Sequence, residues 1–267
     1  MKVKLVVTDL DDTLLRDDRT ISERSRKTIQ RAVERGIHVA IATGRMYDSA
    51  VPYARQLGLK GPILCCQGAQ IADIETGAEI HTQGIPQELA RDVMRWAEGK
   101  GLYIQYYSLS DYYFEHQCEQ SDLYRRLCGV AGKALGAPCS RTLGIDPIKL
   151  LIIADPAEIR AAFEQAKELW KGKLEIAISK PNYLELTHPD ANKGKAMLRL
   201  AGMLGVEPEA VMAVGDALND LPMILSAGLG VAVGNGAETV RAQANRVTLS
   251  NEEDGVAAAI EQYALEE

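Results

Sequence analysis

The chain has 267 residues, of which 46% are hydrophobic and 25% charged, and its formal net charge at pH 7 is -7. These proportions are those of a globular protein, and the length suits one large α/β unit or a core that carries a second domain. The acidic balance argues against a nucleic acid partner, because nucleic-acid-binding proteins usually present a basic face. No apolar run approaches the about 18 residues of a membrane span or the core of a signal peptide, so we expect a cytoplasmic protein with no membrane partner.

The first part of the chain alternates apolar runs with amphipathic stretches. One helical stripe begins after Ser22 and ends at Gly36, and a second runs from Ala50 to Leu57. Near-continuous apolar runs predict buried strands over residues 3–8, 37–42 and 62–66. This β-α-β-α-β order is typical of a doubly wound parallel sheet.

The middle of the chain has a different pattern, which begins at the breaker cluster Gly84-Ile85-Pro86. Apolar periodicity there predicts helices over residues 89–97, 123–135 and 159–170. Alternating runs predict strands over residues 102–108, 112–116, 149–154, 174–178 and 183–187. Hairpins mixed with helices indicate a separate α+β domain that ends near His188-Pro189-Asp190.

The first pattern then resumes and completes the parallel sheet. Strands are predicted over residues 211–214 and 230–233, and helices over residues 193–204, 218–227, 237–244 and 254–265. The predicted fold is therefore α/β, with a doubly wound, Rossmann-like core from residues 1–83 and 188–267. An α+β cap domain over residues 84–187 is inserted into that core.

Polar residues follow three of the predicted core strands. Asp9, Thr43 and Asp216 each lie at or just past a strand end, where open parallel sheets bind their ligands. Carboxylates gathered at one rim repel each other unless some are protonated or a cation lies among them. Hard oxygen ligands in small number favour magnesium.

The Asp9-Leu10-Asp11 segment places two carboxylates where the backbone turns at a strand end. Asp9 is the candidate nucleophile toward phosphorus, and Asp11 is the candidate general acid for the leaving oxygen. Thr13 is expected to orient Asp11 through its hydroxyl group. Taken alone, such a pair of aspartates is equally compatible with a solvated acidic turn.

Lys193 stands near the start of a predicted helix, where a cation is mildly unfavourable. It either offsets the charge of Asp9 and of a phosphoryl group or is a surface lysine, as we expect for Lys195. Asn219 either donates to phosphate or braces the carboxylates. Asp220 is either a partner of the metal ligands or a favourable acidic residue in the first helical turn.

Together these residues resemble the haloacid dehalogenase-like hydrolases, in particular Cof-type phosphatases with a large inserted cap. The resemblance rests on four motifs in the family's order: Asp9-Leu10-Asp11-Asp12-Thr13, Ala42-Thr43-Gly44-Arg45, Asn192-Lys193-Gly194 and Gly215-Asp216-Ala217-Leu218-Asn219-Asp220. It implies a phosphoaspartyl intermediate on Asp9 and magnesium held by the Asp9 carboxylate, the Asp11 main-chain carbonyl and Asp216. It also implies phosphoryl contacts from the Leu10 amide, Thr43, Gly44, Lys193 and Asn219.

Three further residues complete the candidate site. Asp220 is included with the metal site and Thr13 with the substrate site. Arg45 either reaches the substrate or forms an ion pair near the domain junction. The chain has Gln67-Gly68-Ala69 where relatives commonly have Asn-Gly-Ala, which affects the expected leaving-group contacts.

The predicted function is a magnesium-dependent phosphatase acting on a small phosphorylated metabolite, such as a sugar phosphate. An acid at position 11 favours phosphate esters, because dehalogenases of the superfamily lack it. A phosphomutase is the alternative, since it uses the same aspartyl chemistry. We expect a monomer or weak homodimer. The five cysteines have no C-x-x-C spacing and are expected to be small buried residues.

Overall fold

The computed structural model describes residues 2–266 and divides into two compact units. The core unit comprises Met1–His81 and Ala191–Glu267, and the inserted unit comprises Thr82–Asp190. The strands are β1 (Leu5–Thr8), β2 (His38–Ile41), β3 (Pro62–Cys65), β4 (Gln70–Asp73), β5 (Glu79–Thr82), β6 (Tyr103–Tyr107), β7 (Tyr112–Phe114), β8 (Lys133–Ala134), β9 (Lys149–Ile153), β10 (Glu175–Lys180), β11 (Tyr183–Thr187), β12 (Val211–Gly215), β13 (Leu229–Ala232) and β14 (Arg246–Val247).

The α-helices follow the same order along the chain. They are α1 (Glu23–Glu34), α2 (Tyr47–Gln56), α3 (Gln87–Gly99), α4 (Glu119–Cys128), α5 (Cys139–Thr142), α6 (Pro156–Leu169), α7 (Lys193–Met203), α8 (Leu221–Ser226), α9 (Glu238–Gln243) and α10 (Gly255–Ile260). Short 3-10 turns cover Cys66–Gly68, Pro208–Ala210 and Leu218–Asp220, and a π-helical turn covers Glu261–Leu265. None of the described helices is long and apolar enough to span a membrane.

A five-stranded parallel sheet in the order β14-β13-β12-β1-β2 forms the centre of the core unit. On one face, Leu5, Val7 and Ala213 pack against Met197 and Leu200 of α7. The intervening residues of β1 and β12 are also fully buried, as expected for strands covered on both faces. The predicted α/β fold with a doubly wound parallel sheet is confirmed.

The strand predicted over residues 62–66 has a different role from the one expected. Strand β3 meets the parallel sheet at a single bridge, Ala42 to Leu64, and then pairs antiparallel with β4 in a separate sheet ordered β3-β4-β5. The chain reverses at Cys66–Gly68, where all three residues have positive φ. This reversal has no apolar period, so the sequence analysis missed β4 and β5.

The inserted unit contains a six-stranded sheet in the order β10-β11-β9-β6-β7-β8. Its pairs are antiparallel except for β7 with β8, which is parallel. One face packs Ile104, Leu150 and Leu184 against α3 and α6, which supply Val93 and Ile159. The expected α+β architecture of the insertion is thus confirmed.

The helix predicted over residues 123–135 is wrong in both its start and its end. Helix α4 begins at Glu119 after Cys118 and ends at Cys128, because Gly129 takes the left-handed conformation at φ 73°. Residues Lys133–Ala134 then form β8 instead of continuing the helix. The first turn of α4 is polar, so the apolar stripe alone placed the start too late.

Six tyrosines of the inserted unit lie between residues 103 and 124, and five of them have ring contacts with another of the six, whereas the ring of Tyr103 contacts Phe114. Tyr106 and Tyr113 stack with ring centroids 5.0 Å apart, and Tyr112 and Tyr124 meet edge to face at 5.0 Å. These contacts agree with tyrosines that pack together. The expectation of buried cysteines holds for Cys65, Cys66 and Cys139 but not for Cys118 and Cys128, which are half-buried.

Candidate active site

Neighbouring parallel strands bring the strand-end residues together. Thr8 of β1 lies in register with Val214 of β12 and with Ile41 of β2. The Asp9 N–H donates to the Val214 carbonyl at 2.9 Å, and the Ala42 N–H donates to the Thr8 carbonyl at 2.9 Å. The residues that follow these strands, Asp9, Thr43 and Asp216, therefore lie at one edge of the sheet.

Lys193 is buried at the start of α7, where the side chain of Asn192 accepts the Lys195 N–H at 2.9 Å and caps the helix. Only 1% of Lys193 is exposed. Its Nζ donates to Asp9 Oδ1 at 2.7 Å and to Asp220 Oδ1 at 2.6 Å. The alternative of a surface lysine is therefore excluded for Lys193, whereas Lys195 is exposed as expected.

Asp220 is fully buried and uses both of its carboxylate oxygens. Oδ1 accepts from Lys193, and Oδ2 accepts the N–H groups of Asp216 and Ala217 at 2.9 and 3.0 Å. This carboxylate therefore anchors both the lysine and the loop that carries Asp216. Such contacts favour a supporting role for Asp220 over direct metal coordination.

Gly215 allows this anchoring because Asp220 lies directly against its Cα. A Cβ on residue 215 would come within 2.5 Å of Asp220 Cβ and 2.7 Å of Asp220 Oδ2. Because Gly215 ends the buried strand β12 and Asp220 is itself fully buried in the turn that follows, neither has room to move without breaking the hydrogen bonds of Asp220.

Gly215→Ala is therefore expected to lower the free energy of unfolding by about 1–3 kcal/mol, as overpacking of a buried site usually does. It should also lower the predicted phosphatase activity, because Asp216 and Asp220 share this loop. Urea denaturation and phosphate release measure the two effects. Gly202→Ala, which places its Cβ in open space on α7, is the control. Wild-type stability in Gly215→Ala would contradict the close packing.

Burial raises the pKa of two carboxyl groups at this edge. The pKa of Asp9 rises to about 8, because the cost of burying its charge exceeds the lowering effect of Lys193. The pKa of Asp216 rises to about 6, again chiefly through burial and despite the hydrogen bond from Thr13. Burial lowers the pKa of Lys193, but the charges of Asp9 and Asp220 outweigh it and raise that pKa overall.

These carboxylates form a cluster that suits a divalent cation. Oxygens of Asp9, Asp216 and Asp220 all lie within 4.8 Å of one another. Burial disfavours the ionised forms of Asp9 and Asp216 and raises their pKa values, and a bound cation would offset that cost. Since both oxygens of Asp220 are already hydrogen-bonded, Asp9 and Asp216 are the better candidate ligands. An all-oxygen donor set of this kind fits magnesium.

Thr13 does not orient Asp11, so that prediction is wrong. Its Oγ1 donates instead to Asp216 Oδ1 at 2.7 Å, across 203 residues of sequence. Thr13 is buried in the turn that follows β1, and the parallel pairing of β1 with β12 places this turn beside Asp216. Thr13 therefore positions a candidate metal ligand.

Asp11 forms an ion pair with Arg45. Arg45 Nε donates to Asp11 Oδ2 at 2.7 Å, and Nη2 donates to Oδ1, so the contact is bidentate. The guanidinium also lies over the ring of Tyr53, 5.0 Å from its centroid. This hydrogen bonding raises the pKa of Arg45. Among the described residues, the acidic cluster comprises Asp9, Asp216 and Asp220 and does not include Asp11.

The remaining candidate residues line the same rim. Leu10 is fully buried after Asp9. Thr43 is buried, and its Oγ1 accepts the Arg45 N–H at 3.1 Å. Asn219 is exposed, and its Nδ2 donates to Gln67 Oε1 at 2.9 Å, with Gly44 beside the same glutamine. The sequence did not predict the contact between Gln67 and Asn219. The one signal for it was that Gln67 stands where relatives commonly have asparagine.

Comparison with known proteins identifies the family. The profile of the haloacid dehalogenase-like hydrolases matches residues 6–260, which is nearly the whole chain. The chain belongs to this family. Its predicted membership is confirmed, and the four motifs lie at the edge of the sheet described above.

Relatives of similar length carry phosphatase names. The chain is 31% identical over 268 residues to the Bacillus subtilis 5-amino-6-(5-phospho-D-ribitylamino)uracil phosphatase YitU, covering 98% of each chain. It is 31% identical over 284 residues to Phosphatase YwpJ of the same organism, covering 96% of this chain and 98% of that one. Membership of this hydrolase family and the names of its relatives support the prediction of a phosphoric monoester hydrolase.

Solved structures agree with the fold over the full chain. A haloacid dehalogenase-like hydrolase from Bacteroides thetaiotaomicron is 32% identical with a TM-score of 0.86, covering 98% of this chain and 99% of that one. A protein of Thermotoga maritima is 30% identical with a TM-score of 0.87, covering 97% of each chain.

Proposed function

We propose that this chain is a magnesium-dependent phosphatase that hydrolyses a small phosphorylated metabolite through a phosphoaspartyl intermediate on Asp9. One observation carries the proposal. The buried Lys193 ammonium bridges Asp9 and Asp220, and the oxygens of Asp9, Asp216 and Asp220 lie within 4.8 Å of one another. A nucleophilic carboxylate needs positive charge near both the attacking and the phosphoryl oxygens. Lys193 supplies part of this charge, and a magnesium ion among the carboxylates would supply the rest.

In the first step an oxygen of Asp9 forms a bond to phosphorus, and the bond from phosphorus to the ester oxygen breaks. The leaving alkoxide takes its proton from Asp11. Since Asp11 is bound to Arg45 in the structure, this role requires the carboxyl group to turn away from Arg45 during turnover. Lys193 stays paired with Asp9 and with the phosphoryl oxygens.

In the second step a water oxygen attacks phosphorus and gives a proton to Asp11. The bond between phosphorus and Asp9 breaks, which releases inorganic phosphate and restores both carboxyl groups. Asp9, Asp216 and the Asp11 main-chain carbonyl would hold magnesium, which would supply positive charge that offsets the phosphoryl oxygens. Asp220 and Thr13 hold Lys193 and Asp216 in place.

The rim residues are proposed to bind the transferring phosphoryl group. The Leu10 amide, the Thr43 hydroxyl, the Gly44 amide and Asn219 offer donors of the kind that phosphate oxygens accept. Arg45 acts on Asp11, and we keep it as a candidate for substrate contact once Asp11 turns away. The inserted unit, predicted as residues 84–187, is proposed as the cap that selects the substrate.

The substrate is proposed to be a phosphate ester of a small polyhydroxylated metabolite. Relatives named 5-amino-6-(5-phospho-D-ribitylamino)uracil phosphatase act on such a compound. A panel of sugar phosphates, nucleotides, this phosphoribityl compound and p-nitrophenyl phosphate tests the proposal by release of inorganic phosphate. A phosphomutase would instead produce an isomer with little free phosphate and would need a bisphosphate activator.

Removal of magnesium is expected to lower phosphate release by at least about 100-fold, because the charge it supplies stabilises the transition state. Treatment with EDTA followed by added magnesium should restore the rate. Asp216→Asn should raise the magnesium concentration needed for half-maximal rate, because it removes one charged candidate ligand. Full activity in EDTA would contradict the magnesium site.

A further inference from the structure

The turn that joins β3 to β4 has an unusual backbone. Cys66, Gln67 and Gly68 have φ values of 52°, 61° and 92°, a left-handed region that non-glycine residues rarely adopt. Two hydrogen bonds hold the turn: the Cys66 N–H donates to the Arg45 carbonyl at 2.8 Å, and the Gln67 N–H donates to the Thr43 carbonyl at 3.0 Å. The turn is thereby anchored to the segment that carries Thr43.

This backbone directs the Gln67 side chain along the rim of the site. Its Nε2 lies 2.6 Å from the position that a Cβ on residue 44 would take, so a side chain at residue 44 would displace the Gln67 carboxamide from this position. Its Oε1 accepts the Asn219 Nδ2–H at 2.9 Å. Gln67 therefore connects the segment after β2 with the segment after β12.

Asn219 depends on this contact for its orientation. It is exposed on the 3-10 turn Leu218–Asp220, and within residues 2–266 its side chain has Gln67 as its hydrogen-bonding partner. Without an acceptor at that place, the carboxamide can turn either its oxygen or its nitrogen toward the site. A phosphoryl group requires the nitrogen, because phosphoryl oxygens accept hydrogen bonds.

We propose that Gln67 is a positioning residue that fixes the Asn219 carboxamide with its nitrogen toward the phosphoryl group. One Nδ2 proton is bound to Gln67 Oε1, and the second remains for a phosphoryl oxygen. This inference rests on the proposed phosphatase function. Because every phosphate ester has the same phosphoryl group, the contribution of Gln67 is independent of the leaving group.

The test combines Gln67→Met, which removes the acceptor at similar size, with Asn219→Ala and the double variant. Initial rates are measured with p-nitrophenyl phosphate and with a sugar phosphate, which have unlike leaving groups. Gln67→Met is expected to lower kcat/KM about 10-fold for both substrates, because Asn219 then loses the hydrogen bond that orients its carboxamide. In the Asn219→Ala background the same substitution should change kcat/KM less than about 2-fold.

Gln56→Met is the matched control, since Gln56 is exposed at the end of α2. Thermal unfolding of all variants shows whether a rate change follows a change in folding. A kcat/KM that falls only with the sugar phosphate would overturn the role of Gln67. So would a double variant in which the kcat/KM losses of the two single variants multiply. An active wild-type enzyme with an unaffected Gln67→Met variant would overturn this inference alone. A wild-type protein that releases no phosphate would overturn the proposed function and this inference together.

Discussion

Asp9→Asn is expected to lower phosphate release by about 10⁴-fold or more, because the amide oxygen is too weak a nucleophile to take the phosphoryl group. The variant should stay folded. Burial disfavours the charge of Asp9 and raises its pKa, and asparagine keeps the shape of the side chain without that charge. Its Oδ1 also keeps an acceptor for Lys193, which now donates to Asp9 Oδ1 at 2.7 Å.

Phosphate release and urea denaturation test this prediction together. Asp12→Asn is the matched control, because it makes the same change three residues away at an exposed position whose φ of 56° asparagine tolerates. The control should keep activity within about 3-fold of wild type. Retained turnover in Asp9→Asn, with the protein folded, would remove Asp9 as the nucleophile.

Lys193→Met is expected to lower the free energy of unfolding by about 3–5 kcal/mol and to abolish activity. The ammonium is 1% exposed and is hydrogen-bonded to both Asp9 and Asp220. Removing it leaves two buried carboxyl groups without their cation. Breaking a buried ion pair in this way is strongly destabilising, because the remaining charge stays buried and uncompensated. Urea denaturation at neutral pH measures the loss.

Two further variants separate this explanation from a simple loss of packing. Adding Asp9→Asn to Lys193→Met should restore part of the lost stability, because one of the two uncompensated charges is then absent. Lys195→Met, at an exposed position of the same helix, should change stability little. If Asp9→Asn brings no recovery, charge compensation by Lys193 is not the source of its effect.

The α/β core could be predicted because its strands and helices are each specified by a short, continuous stretch of sequence. Buried parallel strands are continuous apolar runs, and helices such as α1 carry both an amphipathic period and a capping residue, here Ser22. Because open parallel sheets bind ligands at the carboxyl ends of their strands, a polar residue just after a strand is a candidate ligand-binding residue even when its contacts are unknown. Asp9, Thr43 and Asp216 were found in this way.

Elements that lack such local signals were predicted less well. Helix α4 was misplaced because its first turn is polar and its end depends on the left-handed Gly129. Strands β4 and β5, and their antiparallel sheet with β3, were missed because this sheet follows from the left-handed turn at Cys66–Gly68. Neither feature is marked by an apolar period in the sequence.

The family, the strand-end carboxylates and the need for a positive charge among them could all be predicted from the sequence, because they depend on motifs and on the order of elements. Which side chains contact each other is visible only in the folded protein. Thr13 binds Asp216, Asp11 binds Arg45 and Gln67 binds Asn219. These partners are between 34 and 203 residues apart in the chain. No spacing rule reaches that far, since such contacts follow from strand order and from the backbone of the turns that the strands bring together.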